Sequence, residues 1–99
     1  MTPRSSIIDA IDRRALLQFR YSGRLRTVEP YCFGISTAGS DVLRAIEVDE
    51  SGASLAGAFG KLWKVSQMSD VRVLDRTFAP KDPNYNPDDK GMAQIYCRI

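Results

Sequence analysis

Ninety-nine residues, 43% of them hydrophobic and 26% charged, suffice for one small globular domain around a single core. With no histidine, and with only Cys32 and Cys97 as thiols, far apart in the chain, there is no zinc-ligand spacing and no base for a Ser/His or Cys/His nucleophile. The net charge of +2 is uneven: residues 1–28 set six arginines against Asp9 and Asp12, a balance of +4, and leave −2 for the remainder.

Met1-Thr2-Pro3-Arg4-Ser5-Ser6 lacks the apolar centre of a secretion signal, and no apolar run reaches the roughly 18 residues of a membrane span. A cytoplasmic protein with reduced thiols is expected. Ser5 or Ser6 can cap a short helix whose apolar stripe is Ile7, Ile8 and Ile11, extended by Ala15 or Leu16. Arg13 and Arg14 fall in its last turn, where they complement the helix dipole. Such a helix is too short to stand alone and has to pack on the sheet or across a barrel end.

Leu17, Phe19 and Tyr21 then alternate with Gln18 and Arg20, and Ser22-Gly23 supplies a hairpin turn. The second strand places Leu25, Thr27, Tyr31, Phe33 and Ile35 at odd positions, with Pro30 marking an edge or a bulge. Ala38-Gly39-Ser40 turns the chain into a third strand, Asp41 to Val48, followed by a polar turn at Asp49-Glu50-Ser51-Gly52. A fourth strand, from Leu55 to Val65, is interrupted and bent at Gly57 and Gly60. Ser66 to Ser69 reads as one helical turn, and Val71 to Leu74 as strand five. Short strands separated by regular turn signals predict an all-β fold with a short N-terminal helix, a small five-stranded barrel.

The tail differs in composition. Phe78 to Gly91 contains Pro80, Pro83 and Pro87 and is expected to be a loop pinned by Phe78 and Tyr85. Ala93 to Ile99 alternates again and suggests a final strand. Residues 1–76 are therefore read as the barrel domain and residues 77–99 as a Pro/Asn-rich C-terminal extension packed on it.

No phosphate-binding loop, nucleophile elbow or dinucleotide fingerprint is present, and Asp88-Asp89 lies in a loop beside Lys90. The chain is expected to be non-enzymatic, with neither metal nor cofactor. Its chemistry rests on cations and aromatics. Arg24 and Arg26 share a side of their strand and, with Arg20 on the neighbouring strand, can form a guanidinium fork for phosphate. Arg26 has two other readings: a surface solubiliser, or a buried partner of Glu29 or Glu47. Arg44 shares its parity with Val42, Ile46 and Val48, and Lys61 with Trp63 and Val65. Each is paired, a rim charge with a packed stem, or a site for an anion, unless Leu43 and Ala45 form the inward face instead. Tyr21 and Trp63 offer surface for a stacked base, with core packing the alternative for Trp63. The candidate ligand or nucleic-acid-binding set is Arg20, Tyr21, Arg24, Arg26, Arg44, Lys61 and Lys64.

The order of these elements resembles the WYL domain family. The resemblance is carried by Ile7–Arg14, Phe19-Arg20-Tyr21, Arg26-x-Val28-x-Pro30, Leu43-x-Ala45, and Lys61-Leu62-Trp63-Lys64-Val65 through Val71-Arg72-Val73-Leu74. The name-giving Trp-Tyr-Leu falls on Asp41-Val42-Leu43, the usual Arg-x-Phe on Lys61-x-Trp63, and the usual Arg-Ile on Gln67-Met68. The resemblance implies an Sm-like barrel acting as a bacterial effector sensor, with a nucleotide or single-stranded nucleic acid as ligand. WYL domains usually follow a DNA-binding domain. The sequence shows none ahead of the barrel, so the expectation is a standalone protein modulating transcription or a defence system in trans. The alternative is a protein-interaction module that docks a regulator through its barrel edge or tail. Open strand edges also make a homodimer an expected partner state.

Overall fold

The computed structural model describes residues 3–49, 61–79 and 91–99. Helix α1 runs Pro3–Arg13 and is followed by strands β1 (Ala15–Tyr21), β2 (Arg24–Ser36), β3 (Asp41–Val48) and β4 (Lys61–Lys64). A 3-10 turn, Val65–Gln67, leads to β5 (Ser69–Thr77), and β6 spans Met92–Arg98. The expectations at Glu50–Gly52, Leu55–Gly60, Tyr85 and Asp88-Asp89 lie outside the described residues.

The helix begins two residues before the expected serine cap. Pro3 suits a first helical turn, where no amide hydrogen is needed, and Ser5 and Ser6 fall inside the helix. It ends at Arg14, whose positive φ of 51° turns the chain sharply into β1. Ala15 and Leu16 therefore belong to the first strand, not to the helical stripe. Ile7, Ala10 and Ile11 bury the inner side of α1 against the sheet.

The ladder order is β4-β3-β2-β1-β5, all antiparallel, with β6 pairing β2 as a sixth strand. The sheet curls strongly. Phe19 of β1 lies 5.4 Å from Trp63 of β4, and Tyr21 lies 5.0 Å from it, although β2 and β3 separate the two strands in the ladder. Among the described residues no ladder joins β4 to β5. The five strands expected for a small barrel and the final strand expected in the extension form a curled six-stranded sheet that is not closed among the described residues. No helix of the described residues is long and apolar enough to cross a membrane.

Two backbone details set which side chains face inward. Ser22 (φ 52°) and Gly23 (φ 75°) make a two-residue turn with both central φ angles positive, so Tyr21 pairs with Arg24 and Phe19 with Arg26. Arg24, Arg26 and Val28 consequently share the face of Leu17, Phe19 and Tyr21. A bulge between Pro30 and Cys32 then changes the parity of β2, bringing Phe33 to the same core as Val28. The odd positions of β2 thus do not share one face: Leu25 and Thr27 oppose Arg20 and Gln18 on the other side, and Leu25 is exposed.

Both faces of the central strands are covered. Leu43, Ala45 and Trp63 belong to the main core under α1. On the reverse, Tyr31, Ile46 and Val48 pack with Leu16 and Phe78, while Cys32 and Val42 pack with Met92. Phe78 pins the start of the tail, its ring 5.7 Å from that of Tyr31.

Candidate functional site

The seven candidate residues do not form one cluster. The β1–β2 register puts Arg20 opposite Leu25, on the face away from Arg24 and Arg26, so a three-arginine fork does not assemble. The alternation within each strand permitted the fork; the length of the turn between the strands removes it.

Arg26 is the most constrained of the set. Because Val28 pairs with Glu47, Arg26 sits diagonally from that carboxylate on the inner face. Its Nη1 donates to Oε1 and Oε2 of Glu47 at 3.1 and 3.3 Å. The two side chains are only 15% and 16% exposed, which sets this pair apart from Arg20–Asp70, 3.4 Å apart with side chains 56% and 75% exposed. The Arg26 guanidinium lies 5.8 Å from the Trp63 ring centre, and its buried Nε has no hydrogen-bond partner. Of the three readings of Arg26, the geometry gives the buried ion pair with Glu47. Its charge is compensated from within.

Trp63 is core and not a stacking platform: it is fully buried, and its Nε1 donates to the Ala45 carbonyl at 3.2 Å. Tyr21 is half-buried against it, and the Lys64 backbone amide donates to the Tyr21 hydroxyl at 3.3 Å. The Lys64 and Arg24 side chains are exposed. Arg44 is half-buried on the reverse face, level with Cys32 and Leu62, away from Leu43 and Ala45. Lys61 pairs with Ala45, and its side chain lies outside the described residues. Arg20, Tyr21, Arg24 and Lys64 thus lie around the hairpin and the facing end of β4. Arg26 braces this region from inside.

Next to the Lys64 end of β4, the β2–β3 turn, the first turn of α1 and the 3-10 turn line a groove of about 480 Å³. Arg4, Ser40, Asp41 and Ser66 line it, above Val65 and Met68. No candidate residue from the sequence lies there. Its lining comes from three segments distant in the chain, so only the ladder pairing reveals it.

Both thiols are free. Cys32 is buried, its Sγ 3.6 Å from the Met92 sulfur. Burial, a hydrogen bond to Asp12 at 3.5 Å and that carboxylate's charge push the Cys97 thiol up from 9.0 to about 11. At pH 8 Cys97 is therefore expected to hold about a hundredfold less thiolate than an ordinary cysteine and to alkylate correspondingly slowly. Asp12→Asn should speed alkylation only partly, since burial is the larger cause. Because the unfolded thiol releases its proton near 9.0 and the folded one near 11, this group's contribution to stability is lost as pH rises through that interval. Iodoacetamide kinetics with mass-spectrometric site assignment check the first two expectations.

No family model matches the chain, and no curated protein matches it. Among solved structures the fold is similar to proteasome accessory factor B/C (PafBC) of Arthrobacter aurescens, with a TM-score of 0.66 and 21% sequence identity. The likeness covers 87% of this chain and 13% of that one, so it relates this fold to a small part of a much longer protein.

Proposed function

We propose that this chain is a WYL-like, non-enzymatic regulatory domain of the cytoplasm that binds a nucleotide or short single-stranded nucleic acid. In this reading the sheet is an Sm-like barrel parted at one seam. The order β5-β1-β2-β3-β4, with a 3-10 turn leading from one outer strand to the other, supports that assignment. The fold likeness to PafBC supports a regulatory role in general.

The observation that carries the ligand assignment is the exposed pair Arg24 and Lys64 beside the half-buried ring of Tyr21, with exposed Arg20 on the opposite face of the same hairpin. Arg24 and Lys64 engage phosphates, Arg20 exchanges its exposed Asp70 partner for one, and the accessible edge of Tyr21 meets a base. Arg26 holds the inner face of the hairpin against Glu47 and does not touch the ligand. Arg44 lies on the reverse face, away from this set.

Fluorescence anisotropy with labelled oligonucleotides and nucleotides at low salt tests the reading. Arg24→Ala and Lys64→Ala should each weaken binding, and each should reduce the slope of log affinity against log salt by roughly 0.7 for a single strand. Absence of binding at low salt, or unchanged affinity in the double variant, would overturn it.

A second reading, a domain that docks a regulator, is favoured by one observation: Leu25 is the large hydrophobic residue left exposed among the described residues, 55% accessible beside the hairpin turn. Leu25→Ser, which removes the apolar side chain without adding a charge beside Arg20 and Arg24, separates the two readings. It should leave oligonucleotide affinity within a factor of two in the first and abolish regulator binding in the second. The docking surface would then be the hairpin and not the end of the tail, because β6 is built into the sheet against β2.

A further inference from the structure

The groove at the β2–β3 end contains none of the cations in the proposed nucleic-acid surface, and its charges are arranged differently. Arg4 is held with its guanidinium carbon 4.4 Å from the Tyr96 ring centre and 6.0 Å from that of Phe33. Stacking of this kind fixes the plane of the guanidinium while leaving its N–H edge available. Among the described residues no carboxylate pairs with Arg4 and no cation pairs with Asp41, although both line the groove. Ser40 and Ser66 add polar groups at its rim, and buried Val65 and Met68 form an apolar floor.

A purely anionic ligand would gain from Arg4 and be repelled by Asp41. A purely cationic one would face the reverse. The ligand that satisfies both carries separated charges of each sign and an apolar body. We propose that this groove binds an amphipathic zwitterion of the amino-acid type, either a free apolar α-amino acid or a short peptide. Its carboxylate pairs with Arg4, its ammonium with Asp41, and its side chain covers Val65 and Met68. A volume of about 480 Å³ accommodates either source, and the unbranched Met68 side chain can adapt to different apolar groups. A phosphate-bearing ligand is disfavoured, because its charge would be brought beside an uncompensated Asp41. The proposal is independent of nucleic-acid binding at the hairpin, because it uses other side chains, and would make the domain responsive to two ligand classes at neighbouring sites.

The test is isothermal titration of the full chain with leucine, methionine and phenylalanine, with the corresponding dipeptides, and with two single-charge controls: isopentylamine and N-acetyl-leucine. The zwitterions should bind at least about tenfold more tightly than either control, with free amino acids against dipeptides identifying the source. Arg4→Gln and Asp41→Asn should each weaken zwitterion binding about tenfold, and Asp41→Asn should at the same time improve binding of N-acetyl-leucine. Arg4 is exposed, so its variant should remain folded. Amide NMR should place the responses at Ser40, Asp41 and Ser66. No binding of any zwitterion at millimolar concentration would overturn the proposal. Equal binding of the single-charge controls, or affinities unchanged in both variants, would overturn it too. Because the oligonucleotide titration uses other residues, failure at the groove is distinguishable from failure at the hairpin.

Discussion

Arg26→Ala is expected to destabilise the domain by about 3–5 kcal/mol, because it leaves the Glu47 carboxylate largely buried with no cation beside it. The pair sits under Trp63 and the hairpin, where water replaces the guanidinium poorly. Arg26→Lys should fall between wild type and alanine, since an ammonium keeps the charge but loses the planar guanidinium's packing on the Trp63 ring. The double variant Arg26→Met with Glu47→Leu should return to within about 1 kcal/mol of wild type, since it removes both charges and keeps the volume. Urea unfolding of the four proteins measures this. A loss below roughly 0.5 kcal/mol for Arg26→Ala would mark a surface residue, contrary to the ion-pair geometry. A loss of oligonucleotide binding at unchanged stability would restore Arg26 to the phosphate-contacting set.

Gly34→Ala should produce the second large effect. Gly34 lies on β2 between Val42 of β3 and Ile95 of β6. A β-carbon there would fall on the backbone carbonyl oxygen of Gln94, 2.9 Å from the Met92 sulfur and 3.0 Å from the α-carbon of Ile95. The methionine can move, but the backbone of β6 cannot move without breaking its ladder. The expected cost is about 3 kcal/mol, a fall in Tm of roughly 15 °C. Adding Met92→Ala should not restore stability, since the obstructing atoms belong to the main chain. Calorimetric melting of both variants checks the pair of outcomes, and recovery in the double variant would place the conflict at the sulfur.

The strands of this fold were legible because their apolar residues alternate and their turns carry Ser-Gly and Ala-Gly-Ser. The short helical turn before β5 and the final strand were legible for the same reason, one from a polar break and one from Ile95, Cys97 and Ile99. Facing was harder. Pro30 signalled an edge or a bulge, but nothing in one strand's alternation says which, and the bulge at Tyr31 exchanges inside for outside halfway along β2. The two-residue turn had the same consequence for the arginines, since pairing Tyr21 with Arg24 sends Arg20 to the opposite face. Arg26–Glu47 was one of several carboxylate pairings open to the sequence, and only the β2–β3 register chooses it. How far the sheet closes was not legible, because closure depends on how β4 and β5 lie across the 3-10 turn, a geometric relation that residue pattern does not encode. The groove was invisible for a related reason: Arg4, Asp41 and Ser66 are unremarkable in their own segments.

The long second strand has a consequence for the order in which the domain assembles. Its first half is zipped to β1 and its second half to β6, while β3 runs along most of its length. The β1–β2 and β2–β3 pairings close short loops and can form early, whereas β1–β5 and β2–β6 join segments far apart in the chain and carry the larger loop-closure entropy. A three-stranded meander centred on β2 is therefore the natural nucleus, and β5 and β6 both join it on the side of β2 away from β3. Thr27 and Val28 are flanked by β1 on one side and β3 on the other, both within that nucleus, so their amides are expected to be the last in the domain to open to solvent.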